Sequence, residues 1–197
     1  MPIVPAFEIG LWNAWIIMVL FILTAVIPGQ MNKEASTRAM GKWKDRTGTE
    51  KIVMIITHGL IMPGLIIYSI FVPLKLGTIE LYAGLFIAFL GLALSFRAGV
   101  DFATTPLDKL VTTGAYRISR HPIYFGTFLY FAGTGIACAS WVFLLCAAIW
   151  MTSFHFGVKD EERFLLKQYG DAYREYMERT PRWIGIQRLY GIMFPRR

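Results

Sequence analysis

Charge is scarce in this chain. Of its 197 residues only 17% are Asp, Glu, Lys or Arg, and 55% are hydrophobic, whereas a typical soluble domain is about 25% charged and about 45–50% apolar. Cysteine is scarcer still: Cys138 and Cys146 are the only two. Both fall in apolar stretches and neither has a CxxC partner, which argues against a disulfide framework or a zinc site and for buried, inert thiols. No HExxH-like spacing links His58, His121 and His155, so a metal site built from His121, His155 and Glu162 is not expected. Internal repeats and low-complexity segments are missing as well. These absences exclude a soluble enzyme, a disordered tail and a disulfide-stapled secreted domain.

The apolar residues are gathered into long runs. A helix needs about 20 residues to cross a hydrocarbon layer of roughly 30 Å. Candidate spans run from about Leu11 to Pro28, Ile52 to Pro73 (with His58 and Pro63 inside), Leu81 to Phe96, Pro122 to Ala137, and Trp141 to Val158. No Lys or Arg precedes the first, so it lacks the basic start of a signal peptide and reads as a retained span. Only Cys138-Ala139-Ser140 separates the last two, which forces a tight helical hairpin. The expected fold is an all-α integral membrane protein of five transmembrane helices, with a cytoplasmic loop and a carboxyl-terminal helix. The length suits one domain.

The net charge of +7 belongs to this topology rather than to nucleic-acid binding, because the cations sit between the apolar runs. Lys33, Arg38, Lys42, Lys44, Arg46 and Lys51 lie between the first two spans. Arg97, Lys109, Arg117 and Arg120 lie in the third connection, and nine more follow Val158. The second connection has Lys75 alone, while the amino-terminal segment and the hairpin turn have none. With five spans every cation-rich segment falls on one side, which the positive-inside rule makes the cytoplasm. The amino terminus is then outside and the carboxyl terminus inside. Beyond the last span, Lys159 to about Arg179 reads as a helix stopped by Pro181, with Tyr169, Tyr173 and Tyr176 on one face as an interfacial aromatic stripe.

Two polar blocks stand out. Leu110 to Gly126, LVTTGAYRISRHPIYFG, takes in the end of the longest cytoplasmic connection between spans and the start of the next span. Pro122 suits the first position of a helix, with His121 at its cap. The N–H groups of Ile123 and Tyr124 at that helix start favour an anion. Gly126, Gly133 and Gly135 admit a close backbone or ligand. Blander roles are open to each: a cap for His121, belt aromatics for Tyr116 and Tyr124, and orientation signals for Arg117 and Arg120. The second block is Asp160-Glu161-Glu162, which reads either as acids complementing a helix dipole or as a cation site at the membrane boundary. His58 and His155, inside spans, read as helix-packing residues.

The motifs G-x-Y-x-x-x-R-H-P-x-Y-x-G at Gly114 to Gly126, E-E-x-x-L at Glu161 to Leu165, G-x-x-Y-x-x-Y at Gly170 to Tyr176 and then Pro181-Arg182 resemble the isoprenylcysteine carboxyl methyltransferase family and its five-span prokaryotic relatives. The resemblance covers the chain from Leu110 onward. It implies a single membrane methyltransferase domain over 1–197, with 97–197 as the cofactor-binding half. It also implies S-adenosyl-L-methionine as methyl donor, leaving S-adenosyl-L-homocysteine as product. By position, Asp108, Lys109, Leu110, Val111, Tyr116, His121, Pro122, Ile123, Tyr124 and Glu161 correspond to the family's cofactor-binding residues. The family's Arg four residues before the first Glu of EExxL, which holds the substrate carboxylate, is Gly157 here. No residue is thereby assigned to the acceptor.

The implied reaction esterifies the carboxylate of a prenylated cysteine or a similar lipophilic acid arriving from the bilayer. A carboxylate is already ionised at neutral pH and a sulfonium methyl is a good electrophile, so no general base or metal is called for. Two alternatives stand beside it: methylation of a phospholipid amine, and a non-enzymatic lipid-binding or transport role on the same scaffold.

Overall fold

Each apolar run folds as a helix, because inside hydrocarbon a helix satisfies its own backbone. The computed structural model describes residues 7–32 and 48–184. Helix α1, Trp15–Met31, enters from a loop pinned by Asn13. That buried amide donates to the carbonyls of Glu8 (2.6 Å) and Ile70 (2.7 Å). Helix α2 is a rod in three pieces: α-helix Gly48–Met54, a π-helical stretch Ile55–Ile61, and α-helix Met62–Phe71. The wide turns precede Pro63, whose ring cannot donate to the preceding turn and would clash with its carbonyl in a regular helix.

Helix α3, Ile79–Thr104, starts at a Thr78 hydroxyl that accepts from the Leu81 N–H and carries Glu80 in its first turn. It does not stop at Phe96 as the apolar run suggests. Arg97 and Asp101 pair across one turn at 3.0 Å, and the helix continues for two turns past the last phenylalanine of the run. Helix α4, Pro122–Ala137, and helix α5, Trp141–Tyr169, are joined by Cys138-Ala139-Ser140, the expected hairpin. A carboxyl-terminal helix beginning at Lys159 is corrected: α5 runs unbroken through Val158 to Tyr169. Gly170, at φ +52°, breaks the rod, and α6 follows as Asp171–Arg179.

The tightest seam is α3 against α4. A Cβ on Gly84 would lie 2.2 Å from the Ala137 nitrogen, and one on Gly133 would lie 2.4 Å from the Ala88 nitrogen. Gly91 and Gly126 meet each other's carbonyls in the same way, so two backbones touch where side chains would hold them apart. Gly126 and Gly133 therefore serve backbone contact, and Gly135 faces Leu144. Beside this seam the core is aromatic, with Phe21, Tyr130, Phe131, Phe143 and Trp150 buried together and the Tyr130 hydroxyl donating to the Ile17 carbonyl.

The outer faces are apolar too. Tyr82, Phe86, Phe89 and Leu90 of α3 and Trp141, Leu145 and Ile149 of α5 are exposed, a pattern that suits lipid rather than water. Among the described residues three helices are long and apolar enough to cross a membrane: Lys51–Phe71, Ile79–Thr104 and Trp141–Tyr169. Helix α1, at 17 residues, is a shorter apolar helix. Helix α4, at 16 residues, covers about 24 Å. Lys33 to Arg46, and the cations after Ile184, lie outside the described residues.

Candidate functional site

The polar block preceding α4 is held at its start by Asp101 of α3. Its carboxylate accepts the Ala115 N–H at 2.8 Å. Gly114, at φ +58°, lies so close that a Cβ there would sit 2.0 Å from that carboxylate. The chain makes a 3-10 turn, Gly114–Arg117, and reaches His121 one residue before the helix. Pro122 opens α4, and the first turn's N–H groups point out of the helix start.

His121 occupies the cap position of α4, where its carbonyl accepts the Phe125 N–H at 3.2 Å, but its side chain makes no cap hydrogen bond. The buried ring instead lies between the two glutamates of α5. Nε2 donates to Glu162 Oε1 at 3.4 Å, since an ionised carboxylate only accepts, and Nδ1 is 3.7 Å from Glu161 Oε2. The Tyr124 hydroxyl donates to that same Glu161 oxygen at 3.0 Å. The His121 and Tyr124 rings lie parallel, 5.7 Å between centroids and 5° between planes, and Phe154 of α5 stacks on Tyr124 at 4.2 Å. Loop, α4 and α5 thus bring His121, Tyr124 and Glu161 together beside the start of α4.

Glu162, besides accepting from His121, is held from the loop and the tail. Arg182 contacts both of its oxygens, through Nε at 3.1 Å and Nη2 at 2.5 Å, and Arg120 Nη1 is 3.2 Å from Oε1. Burial pushes the Glu162 carboxyl up, but hydrogen bonds from His121 and Arg182 and the charge of Arg120 outweigh it and hold the group at about 2. The bond to Glu162 raises Arg182 in turn. Tyr173 and Tyr176 of α6 are buried rather than arrayed at an interface, and burial raises both phenols. The Tyr176 hydroxyl donates to the Tyr116 carbonyl at 2.7 Å, which packs α6 onto the loop.

The acids Asp160, Glu161 and Glu162 lie inside a continuous helix, so they complement no helix start. Asp160 pairs with Arg163, one turn on. Arg120 is not a mere orientation signal, being nine-tenths buried and paired with Glu162; Arg117 is exposed. Asp108 and Lys109 are exposed, Leu110 is half-buried and Val111 is buried. Their tie to α5 is the Lys109 carbonyl, 3.5 Å from the Tyr169 hydroxyl, about 12 Å along the helix from Glu161. His155 is exposed on α5, and His58 packs edge-on against Trp150 at 5.3 Å. Among the described residues no three metal-binding side chains gather. Sequence reasoning missed Arg120, Glu162 and Arg182 as parts of one cluster, and Asp101 as the anchor of the loop. The pairing of R-H-P with a double glutamate was the available signal for the first two.

Residues 92–172 match the phospholipid methyltransferase family. The protein-S-isoprenylcysteine O-methyltransferase of Schizosaccharomyces pombe is 34% identical over 97 residues, covering 46% of this chain and 41% of that protein. Protein-S-isoprenylcysteine O-methyltransferase B of Arabidopsis thaliana is 34% identical over 74 residues, 37% of this chain and 38% of that protein. Methanethiol S-methyltransferase 1 of Bradyrhizobium diazoefficiens is 37% identical over 78 residues, 40% of this chain and 26% of that protein. The chain spans less than half the length of these curated relatives. Over residues 92–172 the chain is thus similar to the phospholipid methyltransferase family, and its carboxyl-terminal half is similar to isoprenylcysteine O-methyltransferases.

Proposed function

We propose that this chain is a membrane methyltransferase that uses S-adenosyl-L-methionine to esterify the carboxylate of a prenylated cysteine or a similar lipophilic acid. The observation that carries the reading is the convergence of His121, Tyr124 and Glu161 on the start of α4, with Tyr124 and Glu161 joined at 3.0 Å. These groups fit the donor's chemistry. A helix start suits its carboxylate, and a glutamate beside stacked aromatic rings suits its cationic portion through charge and cation–π attraction. The residues that hold it are then His121, Pro122, Ile123, Tyr124 and Glu161, with Asp108, Lys109, Leu110, Val111 and Tyr116 on the loop edge. When bound, the donor supplies an electrophilic methyl. The chain's own part is to orient the acceptor in line, exclude water and keep the acceptor's carboxylate ionised.

The acceptor is proposed as an acid because two of the similar proteins named above are isoprenylcysteine O-methyltransferases. The methanethiol S-methyltransferase and the phospholipid name of the family support keeping sulfur and amine acceptors as comparison substrates. We further propose five crossings with the amino terminus outside, the cofactor site and carboxyl terminus cytoplasmic, and 97–197 as the cofactor-binding half of one domain.

The test is calorimetry of S-adenosylhomocysteine with the detergent-purified protein, alongside His121→Ala and Glu161→Gln. Saturable binding that either change weakens about tenfold, roughly 1.4 kcal/mol, is expected. Folded protein that binds nothing moves the reading to lipid handling on a methyltransferase scaffold.

A further inference from the structure

We propose that Thr180–Arg182 is a strap that sets both the backbone and the ring of His121, with Arg182 and Ser119 as positioning residues for the proposed cofactor site. The inference rests on the methyltransferase reading and deepens it. His121 cannot hold itself in place. It lies outside helical geometry at φ −130° and ψ 57° without a side-chain cap bond, and the following proline restricts it further.

The strap reaches it by two routes. Helix α6 closes with the buried Thr180, and the chain then turns back over the loop. The Pro181 carbonyl accepts the Arg120 N–H at 2.9 Å. The Arg182 carbonyl accepts from the fully buried Ser119 hydroxyl at 3.1 Å, and that hydroxyl oxygen accepts the His121 N–H at 3.0 Å. Three consecutive residues before α4 are thus tied to the strap, directly or through one hydroxyl. The second route runs through side chains. The Arg182 fork engages both oxygens of Glu162, and one of those oxygens accepts from the His121 ring. A planar, two-pronged donor fixes a carboxylate's orientation as well as its charge. Glu162 is then an anchor for His121, while Glu161, its neighbour, meets Tyr124.

The experiment uses the full chain in detergent and measures S-adenosylhomocysteine affinity together with hydrogen exchange over 115–126. The variants are Arg182→Gln, Arg182→Lys and Ser119→Ala. Arg179→Gln, which removes an exposed pair with Glu175, is the control from the same tail. Arg182→Gln is expected to weaken binding at least tenfold and Ser119→Ala at least threefold, with Arg182→Lys recovering part of the loss and Arg179→Gln within twofold of wild type. Exchange at Arg120 and His121 should quicken while α3 stays protected.

A pH profile adds a signature that loss of packing alone does not produce. Glu162 faces Arg120, His121, Arg182 and Tyr173, with Glu161 beside it, so losing the Arg182 fork should make the acid-side fall in affinity begin at higher pH. Binding within twofold of wild type in both Arg182→Gln and Ser119→Ala overturns the strap. If Arg182→Gln does not fold, Ser119→Ala and Arg182→Lys decide by the same criterion of twofold. A wild-type protein that binds no S-adenosylhomocysteine sinks the methyltransferase reading itself, an outcome distinct from unchanged affinity in the variants.

Discussion

Glu162 shows what one residue's surroundings do to its chemistry. It is 4% exposed, yet hydrogen bonds from His121 and Arg182 and the charge of Arg120 bring it from an ordinary 4.5 to about 2. A folded-state value below the unfolded one means that the added stability is whole above about pH 4.5 and lost as pH falls toward 2. Thermal unfolding of Glu162→Gln beside wild type should therefore show a melting difference that is largest at pH 6 and shrinks toward pH 3. A constant difference would deny the cluster its electrostatic role. His121, Tyr124 and Glu161 were legible as candidates because they lie in recognisable motifs. Arg120 and Glu162 lie in the same motifs, but their pairing with each other was not legible, since a buried ion cluster is written in the same letters as orientation charges and helix-end acids.

At the scale of elements, the α3–α4 seam makes a sharp contrast with an exposed glycine. A Cβ on Gly133 or Gly84 runs into backbone, whereas one on Gly64 meets nothing within 4 Å. Gly133→Ala should cost about 1–3 kcal/mol, as overpacking does. Gly64→Ala should be neutral or stabilising by about 0.5–1 kcal/mol, since alanine is the better helix former. Melting temperatures of the two variants in the same detergent check this, and equal effects would refute direct backbone contact. The glycines themselves were visible in the sequence, but not which of a ligand or a backbone they admit. The break at Gly170 was hidden for a related reason. A charged helix continues the apolar one in α5 without change of period, and only the positive φ marks the end.

For the whole molecule, membrane placement follows from where the exposed apolar faces and the polar cluster sit. The proposed topology puts the connection between α2 and α3 outside and the loop before α4 inside. In a background lacking Cys138 and Cys146, Leu76→Cys should react with an impermeant maleimide on intact cells. Asp108→Cys should react only after permeabilisation. Both positions are exposed, so the reverse pattern would invert the topology, and labelling of both from outside would change the number of crossings.

Membrane class, the helical hairpin and the position of the polar block were determined by the sequence alone, because transfer into hydrocarbon sums over consecutive residues and needs no knowledge of neighbours in space. Tertiary structure alone decided that Arg120, His121 and Arg182 converge on Glu162, that Gly84 and Gly133 face backbone, and that the chain after α6 returns over the loop. Those outcomes depend on distances between residues far apart in the chain and on which charges lose their water. Desolvation makes pairing obligatory for a buried charge and optional for an exposed one, and burial is not written in a residue's identity.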